Sequence, residues 1–323
     1  KYKRLVGEKV IFITGVDEHG LKIQRTAQNK GLTPKEHCDE IADIFYTNWT
    51  NWNISFDRFI RTSSNHHLSI VNEFYKKVKN SNDIYMGVQK GWYCVGCEEF
   101  KENPDNSPTY QCPIHKKNLE WKNEENLFFK LSKYQNQIEE LINNPHFIEP
   151  KERRNEIKNF VSKGLKDFSI SRTNLNWGIR VPDEKGHTFY VWFDALLGYI
   201  SALSLNESDK SLSNSLDLGW PANLHLIGKD ILRFHAVYWP AMLLSAGIKP
   251  PEKVYGHAVN AAKRDSGAVA ATNYTKQAWD GFYQGRAIID AAAGTALTDD
   301  AFAELQGHRD AAVDAWEKAI AST

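Results

Sequence analysis

The chain has 323 residues, 40 Lys and Arg against 40 Asp and Glu, and a formal net charge of zero. At roughly 100–200 residues per domain that length suggests two domains, and 41% hydrophobic with 25% charged residues excludes an intrinsically disordered chain. Charge balance excludes a wholesale polyanion binder while leaving room for a local basic groove, and four cysteines exclude a disulfide scaffold.

No apolar run reaches the ~18 residues of a membrane-spanning helix. Nor does an apolar stretch follow the opening Lys1-Tyr2-Lys3-Arg4-Leu5, so no secretory leader is read there. Composition breaks sharply late in the chain: alanine occurs 8 times in residues 1–257 and 19 times in 258–323. Such a break marks a domain boundary or a join between sequences of different origin.

Lys9-Val10-Ile11-Phe12-Ile13-Thr14-Gly15 is an apolar run ending in Gly and predicts a buried strand of a parallel sheet. Leu21 to Ala27 starts a helix that stops near Gly31. Thr33-Pro34-Lys35-Glu36 reads as a capping box with Pro at the first helical position, opening an amphipathic helix through Trp49. Residues 82–130 change character, with short aromatic strands, cysteine pairs and a Pro-rich turn at 103–108, and read as an inserted module. Helices with mixed charge return over 131–180. Asn223 to Gly228 is a second buried strand ending in Gly, followed by a helix from Asp230 that Pro250-Pro251 closes. Val254-Tyr255-Gly256-His257 is a further short strand. Strand followed by helix is the repeating unit of an α/β sheet.

Four constellations carry chemistry. Cys94-x-x-Cys97 followed by Cys112-x-x-His115 offers two knuckles, each able to aim two side chains at one ion, and together they complete a Cys₃His tetrahedron. Four protein ligands leave no open position, so a zinc ion there holds a fold; the alternative is an unmetallated, degenerate knuckle. Cys38, alone in a helical pattern, reads as a small buried hydrophobe. Asp17-Glu18-His19 stands at the end of the first strand, where open α/β sheets bind ligands. Its two carboxylates and imidazole suit a small cation, or else form a polar turn with a capping Asp. Gly228-Lys229-Asp230, at a strand end entering a helix, suits a nucleotide, though Asp230 alone is also an ordinary cap. Trp192, Ala195, Leu196 and Tyr199 share one helical face at i, i+3, i+4, i+7, as do Ile231 and His235 four apart. These stripes line an apolar pocket or simply pack a core.

Taken together these segments resemble the methionyl-tRNA synthetase family of class I aminoacyl-tRNA synthetases. The resemblance rests on Arg4-Leu5 through Ile23, where Thr14-Gly15-Val16-Asp17-Glu18-His19-Gly20 is a close form of the family's T-G-T-D-E-H-G. It continues through Trp92 to Cys97, Cys112-Pro113-Ile114-His115, Glu124 to Phe129, Gly164 to Arg172, Tyr190 to Leu196 and His225 to Asp230. These stretches run in order through residues 1–257.

The resemblance implies an α/β fold: a Rossmann-type parallel sheet split by an inserted zinc-knuckle connective module, with an α-helical C-terminal tail. The implied domains are 1–80 and 188–257 as two halves of a catalytic domain, 81–187 as the insertion with its knuckle at 92–121, and 258–323 as an Ala-rich tail of unknown origin. The implied reaction is ATP-dependent activation of methionine and its transfer to tRNA(Met), with Mg accompanying ATP and a structural Zn on Cys94, Cys97, Cys112 and His115. By the same resemblance Asp17 holds the methionine ammonium, and Trp192, Ala195, Tyr199, Ile231 and His235 line the thioether pocket with Leu196 beside them. Gly228, Lys229, Asp230 and His257 meet ATP, and Lys229 with Arg172 supplies catalytic cations. A cytoplasmic location is implied, or an organelle matrix, with no membrane partner.

Departures from the family pattern are equally specific. Its His-Ile-Gly-His signature belongs upstream of Lys1, and its Lys-Met-Ser-Lys-Ser signature is replaced after His257 by Ala258-Val259-Asn260-Ala261-Ala262-Lys263-Arg264-Asp265-Ser266. The chain as it stands is therefore expected to be impaired in turnover. Two other readings remain open at this point: a class I synthetase for another apolar amino acid, and a non-catalytic zinc-bearing tRNA-binding or scaffold fragment.

Overall fold

The computed structural model describes residues 2–101, 111–112, 116–173, 175–257 and 307. The expected helical tail, apart from Gly307, and His115 lie outside the described residues. The chain divides into two compact units: residues 1–227 with 231–256, and residues 228–230 with 257–323.

A short helix α1 (Tyr2–Leu5) precedes β1 (Ile13–Val16), α2 (Leu21–Asn29), α3 (Pro34–Asn51), β2 (Arg58–Arg61) and α4 (Asn65–Asn80). β1 and β2 pair in parallel, Ile13 against Arg58 through Val16 against Arg61, so α2 and α3 form the crossover of a βαβ unit. The strand expected from Lys9 is shorter at its start. Asp57 takes over there, its N–H donating to the Phe12 carbonyl at 2.8 Å and its carboxylate accepting from the Phe12 N–H at 2.7 Å. The capping box opens α3 as read: the Thr33 side chain accepts from Glu36 N–H, and the Glu36 carboxylate accepts from Thr33 N–H. Cys38 is buried. On the outer side of α3, Phe45, Tyr46 and Trp49 make ring contacts that extend to Phe56 and Phe59, and Phe45 and Tyr46 remain exposed.

The insertion is built on a long antiparallel ribbon. β3 (Ile84–Cys94) carries β4 (Glu99–Lys101) at one edge and pairs with β5 (Glu120–Phe129) from Ile84 against Phe129 to Tyr93 against Glu120. A 3₁₀ turn (Leu131–Tyr134), α5 (Gln135–Asn143), β6 (Ile148–Glu149) and α6 (Lys151–Val161) lead to β7 (Phe168–Ser169), which adds to the free edge of β5. β8 (Ser171–Arg172) then pairs with β9 (Thr188–Phe189).

After α7 (Val191–Ala195), α8 (Gly198–Ser201) and α9 (Leu212–Asp217) comes β10 (His225–Gly228), then α10 (Trp239–Ser245) and β11 (Val254–His257). β10, β11 and β6 form a three-stranded sheet in that order, β11 parallel to β6. The fold is α/β with mixed sheets. Among the described residues no helix is long and apolar enough to cross a membrane.

Two helical readings are corrected. The face from Trp192 to Tyr199 is not one helix but two short pieces that part at Leu196-Leu197. The helix expected from Asp230 begins as a 3₁₀ turn (Lys229–Ile231) and a π turn (Phe234–Tyr238) before α10. The π turn widens the backbone, and the Trp239 N–H reaches back five residues to the Phe234 carbonyl.

The core joins these layers through aromatic rings. Phe74 lies 5.9 Å from both Phe193 and Trp239, and Phe189 stacks on Phe193 at 4.8 Å. Burial of each such side chain contributes about 1.5–3 kcal/mol. Asp83, buried beyond the end of α4, accepts from Lys133 Nζ at 2.6 Å, from Ser245 Oγ at 2.8 Å and from the Tyr134 hydroxyl. A buried carboxylate is tolerated only with partners of this kind, and these three tie α4, the 3₁₀ turn and α10 together.

Candidate functional site

β1 ends in Asp17-Glu18-His19, and the three side chains part company. Glu18 turns inward: Arg61 Nε donates to its carboxylate at 2.7 Å, and the Ser63 backbone and hydroxyl donate to the other oxygen. Arg61 also bridges to Asp39 at 2.6 Å. Glu18 is therefore a structural anchor between β1 and β2 and leaves Asp17 as the carboxylate of this turn that faces the cavity.

His19 Nδ1 lies 3.1 Å from Asp194 Oδ2, and both residues are buried. Burial alone disfavours the protonated imidazole, but the charge and hydrogen bond of Asp194, helped by Glu18 and Asp17, raise its pKa above the ordinary histidine value. The Asp194 carboxyl is itself raised, because burial outweighs the attraction of His19.

Asp17 takes no hydrogen bond among the described residues. It keeps contact with solvent through a cavity while protein crowds its carboxyl from the sides. That desolvation, followed by repulsion from Asp194, raises its pKa to about 6 against the pull of His19. The cavity has a volume of about 200 Å³; Asp17 and His19 form one wall, Trp192 and Ala195 another, and Gly96 and Glu98 a third. Its polar wall comes from the segment that follows β1 and its apolar wall from α7.

Behind the apolar wall Trp192 stacks on Phe234, with centroids 4.0 Å apart and planes within 7°. His235 Nδ1 is 3.0 Å from the Ile231 carbonyl, and its Nε2 is 2.7 Å from the Tyr199 hydroxyl. A carbonyl can only accept, so Nδ1 carries the proton. Burial lowers the His235 pKa to about 4, so the ring is neutral and Nε2 accepts from Tyr199. Tyr199 also packs on His225 at 4.2 Å, a ring that burial likewise holds neutral with a pKa of about 3. Leu196 is buried in the main core, and neither it nor Tyr199, Ile231 or His235 lines the cavity, which takes only Trp192 and Ala195 from the expected apolar set.

Arg172 lies apart from Asp17, in a second cavity that shares Glu98 and Val191 with the first. Its guanidinium sits 4.1 Å over the Tyr190 ring, with Phe100 and Tyr93 at 5.4 and 5.7 Å. Nη1 donates to Ser169 Oγ at 2.8 Å and to the Ser171 carbonyl at 2.7 Å, whereas Nε has no hydrogen-bond partner among the described residues. Burial raises the neighbouring Glu98 carboxyl to about 7 despite the Lys22 and Leu21 backbone N–H groups. Gly228, Lys229, Asp230 and His257 belong to the second unit, where Gly228 closes β10, Lys229 and Asp230 open the 3₁₀ turn and His257 ends β11.

Cys94, Cys97 and Cys112 bring their sulfurs within 4.8 Å of one another, and none is in a disulfide. Burial pushes the Cys97 thiol up to about 12, so the case for a metal rests on the convergence of the three sulfurs and not on a thiolate already formed. Three converging, largely buried sulfurs are a donor set that fits a soft or borderline metal ion.

Asp194, Phe234, His225 and Glu98 join the site although no motif singled them out. An acid inside the apolar run Tyr190-Val191-Trp192-Phe193-Asp194-Ala195-Leu196 was a usable signal, since a buried charge demands a partner. Phe234 carried none, because only the π turn brings it under Trp192.

A family model described as tRNA synthetases class I (M) matches residues 1–119 and 102–265. The chain belongs to this family. A methionine–tRNA ligase of Nostoc sp. is 57% identical over 259 residues, covering 80% of this chain and 49% of the relative. A chloroplastic/mitochondrial methionine–tRNA ligase of Arabidopsis thaliana is 51% identical over 258 residues, covering 80% and 42%. Among solved structures, Mycobacterium tuberculosis methionyl-tRNA synthetase in complex with methionyl-adenylate superposes with a TM-score of 0.73 at 40% identity, over 80% of this chain and 51% of that one. The chain thus spans about half the length of the family members it matches.

Proposed function

We propose that this chain carries the amino-acid-activating site of a methionine–tRNA ligase, using methionine, ATP with Mg, and tRNA(Met). One observation carries the reading: Asp17, without a hydrogen bond among the described residues, faces across one cavity the apolar wall of Trp192 and Ala195. An α-amino acid with an apolar side chain presents that combination of charges and surface. Asp17 supplies the anion for its ammonium, a charge-assisted contact. Trp192, held flat by Phe234, suits a polarisable thioether. Tyr199, Ile231 and His235, which lie behind that wall, are assigned to the end of the pocket that the thioether would reach, where the neutral His235, fixed by the Ile231 carbonyl, commits the Tyr199 proton to itself. The names of the relatives above favour methionine over other apolar amino acids.

In the reaction, a methionine carboxylate oxygen bonds to the α-phosphorus of ATP and the bond to pyrophosphate breaks. The ribose hydroxyl of tRNA then attacks the carbonyl carbon and AMP leaves. Gly228, Lys229, Asp230 and His257 are assigned to ATP, and Lys229 and Arg172 to the developing phosphate charge. Leu196 backs the pocket from the core. Zinc, on Cys94, Cys97, Cys112 and His115, would hold the knuckle and take no part in the chemistry.

The parallel pair β1–β2 and the sheet β10-β11-β6 are assigned to one Rossmann-type sheet interrupted by the connective module. Half-exposed Leu224, the 65% exposed Leu226, and Ile11 and Phe12 before β1 support this, being apolar residues at strand edges that a fuller sheet would cover. The domain bounds 1–80, 81–187, 188–257 and 258–323 follow from that reading. Bacterial relatives and the plant organellar relative favour the cytoplasm or an organelle matrix.

Calorimetry with methionine against leucine tests the proposal. Binding of methionine at least about tenfold tighter is expected from the loss of thioether contacts and shape, and equal affinity sinks the pocket assignment.

A further inference from the structure

Glu98 follows the second cysteine of the Cys94-Val95-Gly96-Cys97 knuckle, and its side chain crosses to the start of α2. Its Oε1 accepts from the Lys22 N–H at 3.2 Å. Helix starts leave orphan N–H donors, and Gly20, at the boundary of α2, offers no side chain to satisfy them. The cap is delivered instead from 76 positions along the chain. The approach is close: a Cβ on Gly20 would lie 2.2 Å from Glu98 Oε1 and push the carboxylate off the helix start, and the Gly20 φ of +117° itself favours glycine.

The main chain of Glu98 is held as well. The Tyr190 hydroxyl donates to its carbonyl at 2.5 Å. Its φ is +53°, a region that glycine enters without penalty and L side chains rarely adopt. A glutamate kept where the backbone favours glycine points to a need for the carboxylate. Gly96, Cys97 and Glu98 also line the cavity that holds Asp17 and Trp192. The knuckle, the first turn of α2 and the pocket therefore meet at one side chain.

We propose that Glu98 is a positioning residue that couples the metal-bearing knuckle to the amino-acid pocket, fixing the first turn of α2 and with it Asp17 and His19. The inference rests on the reading of that cavity as a methionine pocket and of the three cysteines as metal ligands. Metal in the knuckle holds Glu98 against α2; loss of metal frees the loop, and the first turn of α2 loses its cap.

The test uses the zinc-loaded chain with Glu98→Gly and Glu98→Gln, read by amide hydrogen exchange and methionine titration. Glu98→Gly removes the carboxylate while relieving the backbone. It should keep the thermal midpoint within about 2 °C, speed exchange at residues 21–23 about tenfold and weaken methionine about tenfold. Glu98→Gln keeps an acceptor oxygen and should stay within about threefold of the unmodified chain on both measures. Chelation of zinc should speed the same amides in the unmodified chain and add nothing in Glu98→Gly. Unchanged exchange in Glu98→Gly, or an equal response of both chains to chelation, overturns the proposal. If the unmodified chain does not bind methionine, the substrate reading fails while the exchange measurements still decide the coupling. If Glu98→Gly does not fold, the response of residues 21–23 to chelation in the unmodified chain decides it.

Discussion

His19 and Asp194, 175 positions apart, form a buried ion pair at 3.1 Å directly behind the carboxyl proposed to bind substrate. The pair sets an electrostatic floor for the pocket: Asp194 opposes ionisation of Asp17 and His19 favours it. Removing one partner of a buried pair strands the other. Asp194→Asn should therefore lower the unfolding free energy by about 3 kcal/mol at pH 7, measured by urea titration, and a change below ~0.5 kcal/mol would mean the pair is not buried in solution.

The Asp17 pKa of about 6 gives two linked expectations. Methionine binding needs the ionised carboxylate, so affinity should be level above pH 6 and fall about tenfold per unit below it. Stability has the opposite dependence. The folded carboxyl binds its proton more tightly than the unfolded one, so stability falls as pH rises between about 4 and 6. Asp17→Asn should abolish methionine binding yet raise the thermal midpoint at pH 7, by only ~1–2 °C because solvent in the cavity screens the charge. A lowered midpoint contradicts this.

Tyr199→Phe leaves the buried His235 Nε2 without its donor. The expected cost is about 1–2 kcal/mol of stability together with roughly tenfold weaker methionine. Retention of both would show that another donor reaches Nε2.

Trp192→Ala removes one wall of the cavity and the stack on Phe234. Methionine affinity should drop at least about a hundredfold, with a smaller effect on the unfolding midpoint than on binding because Trp192 is only partly buried. Titration calorimetry and thermal melts on the same sample separate the two.

Metal analysis should find one zinc per chain, and Cys94→Ser should lower the thermal midpoint by several degrees. A folded, zinc-free chain with an unchanged Cys94→Ser variant removes the structural role.

Local patterns were legible where the determining groups lie close in sequence. The Thr33–Glu36 box is three residues long and formed as read. The strands ending at Gly228 and His257, and the convergence of three cysteines, followed from short spacings. Spacing alone does not tell Asp17 and Glu18 apart in role, and only the resemblance chooses Asp17, because Arg61, 43 positions from Glu18, decides which carboxylate is tied down. The spacing from Trp192 to Tyr199 suggests one helix and does not reveal the break at Leu196-Leu197, where two short helices part. The position of His235 depends on a π turn, which leaves no periodic trace. Arg172 was tied to the substrate through resemblance, and its aromatic cage assembles from Tyr93, Phe100 and Tyr190 only in three dimensions.

The long ribbon of β3 and β5 has a consequence for how this module can vary. Its ladder runs unbroken from Ile84–Phe129, against the core, to Tyr93–Glu120, beside the knuckle. Side chains alternate faces along it, so one residue gained or lost in either strand would reverse every face beyond that point. Tyr93 would leave Arg172, and Cys94 would turn away from its fellow cysteines. Length changes across the family should accordingly be absent from these strands, or arrive in compensating pairs on both at once.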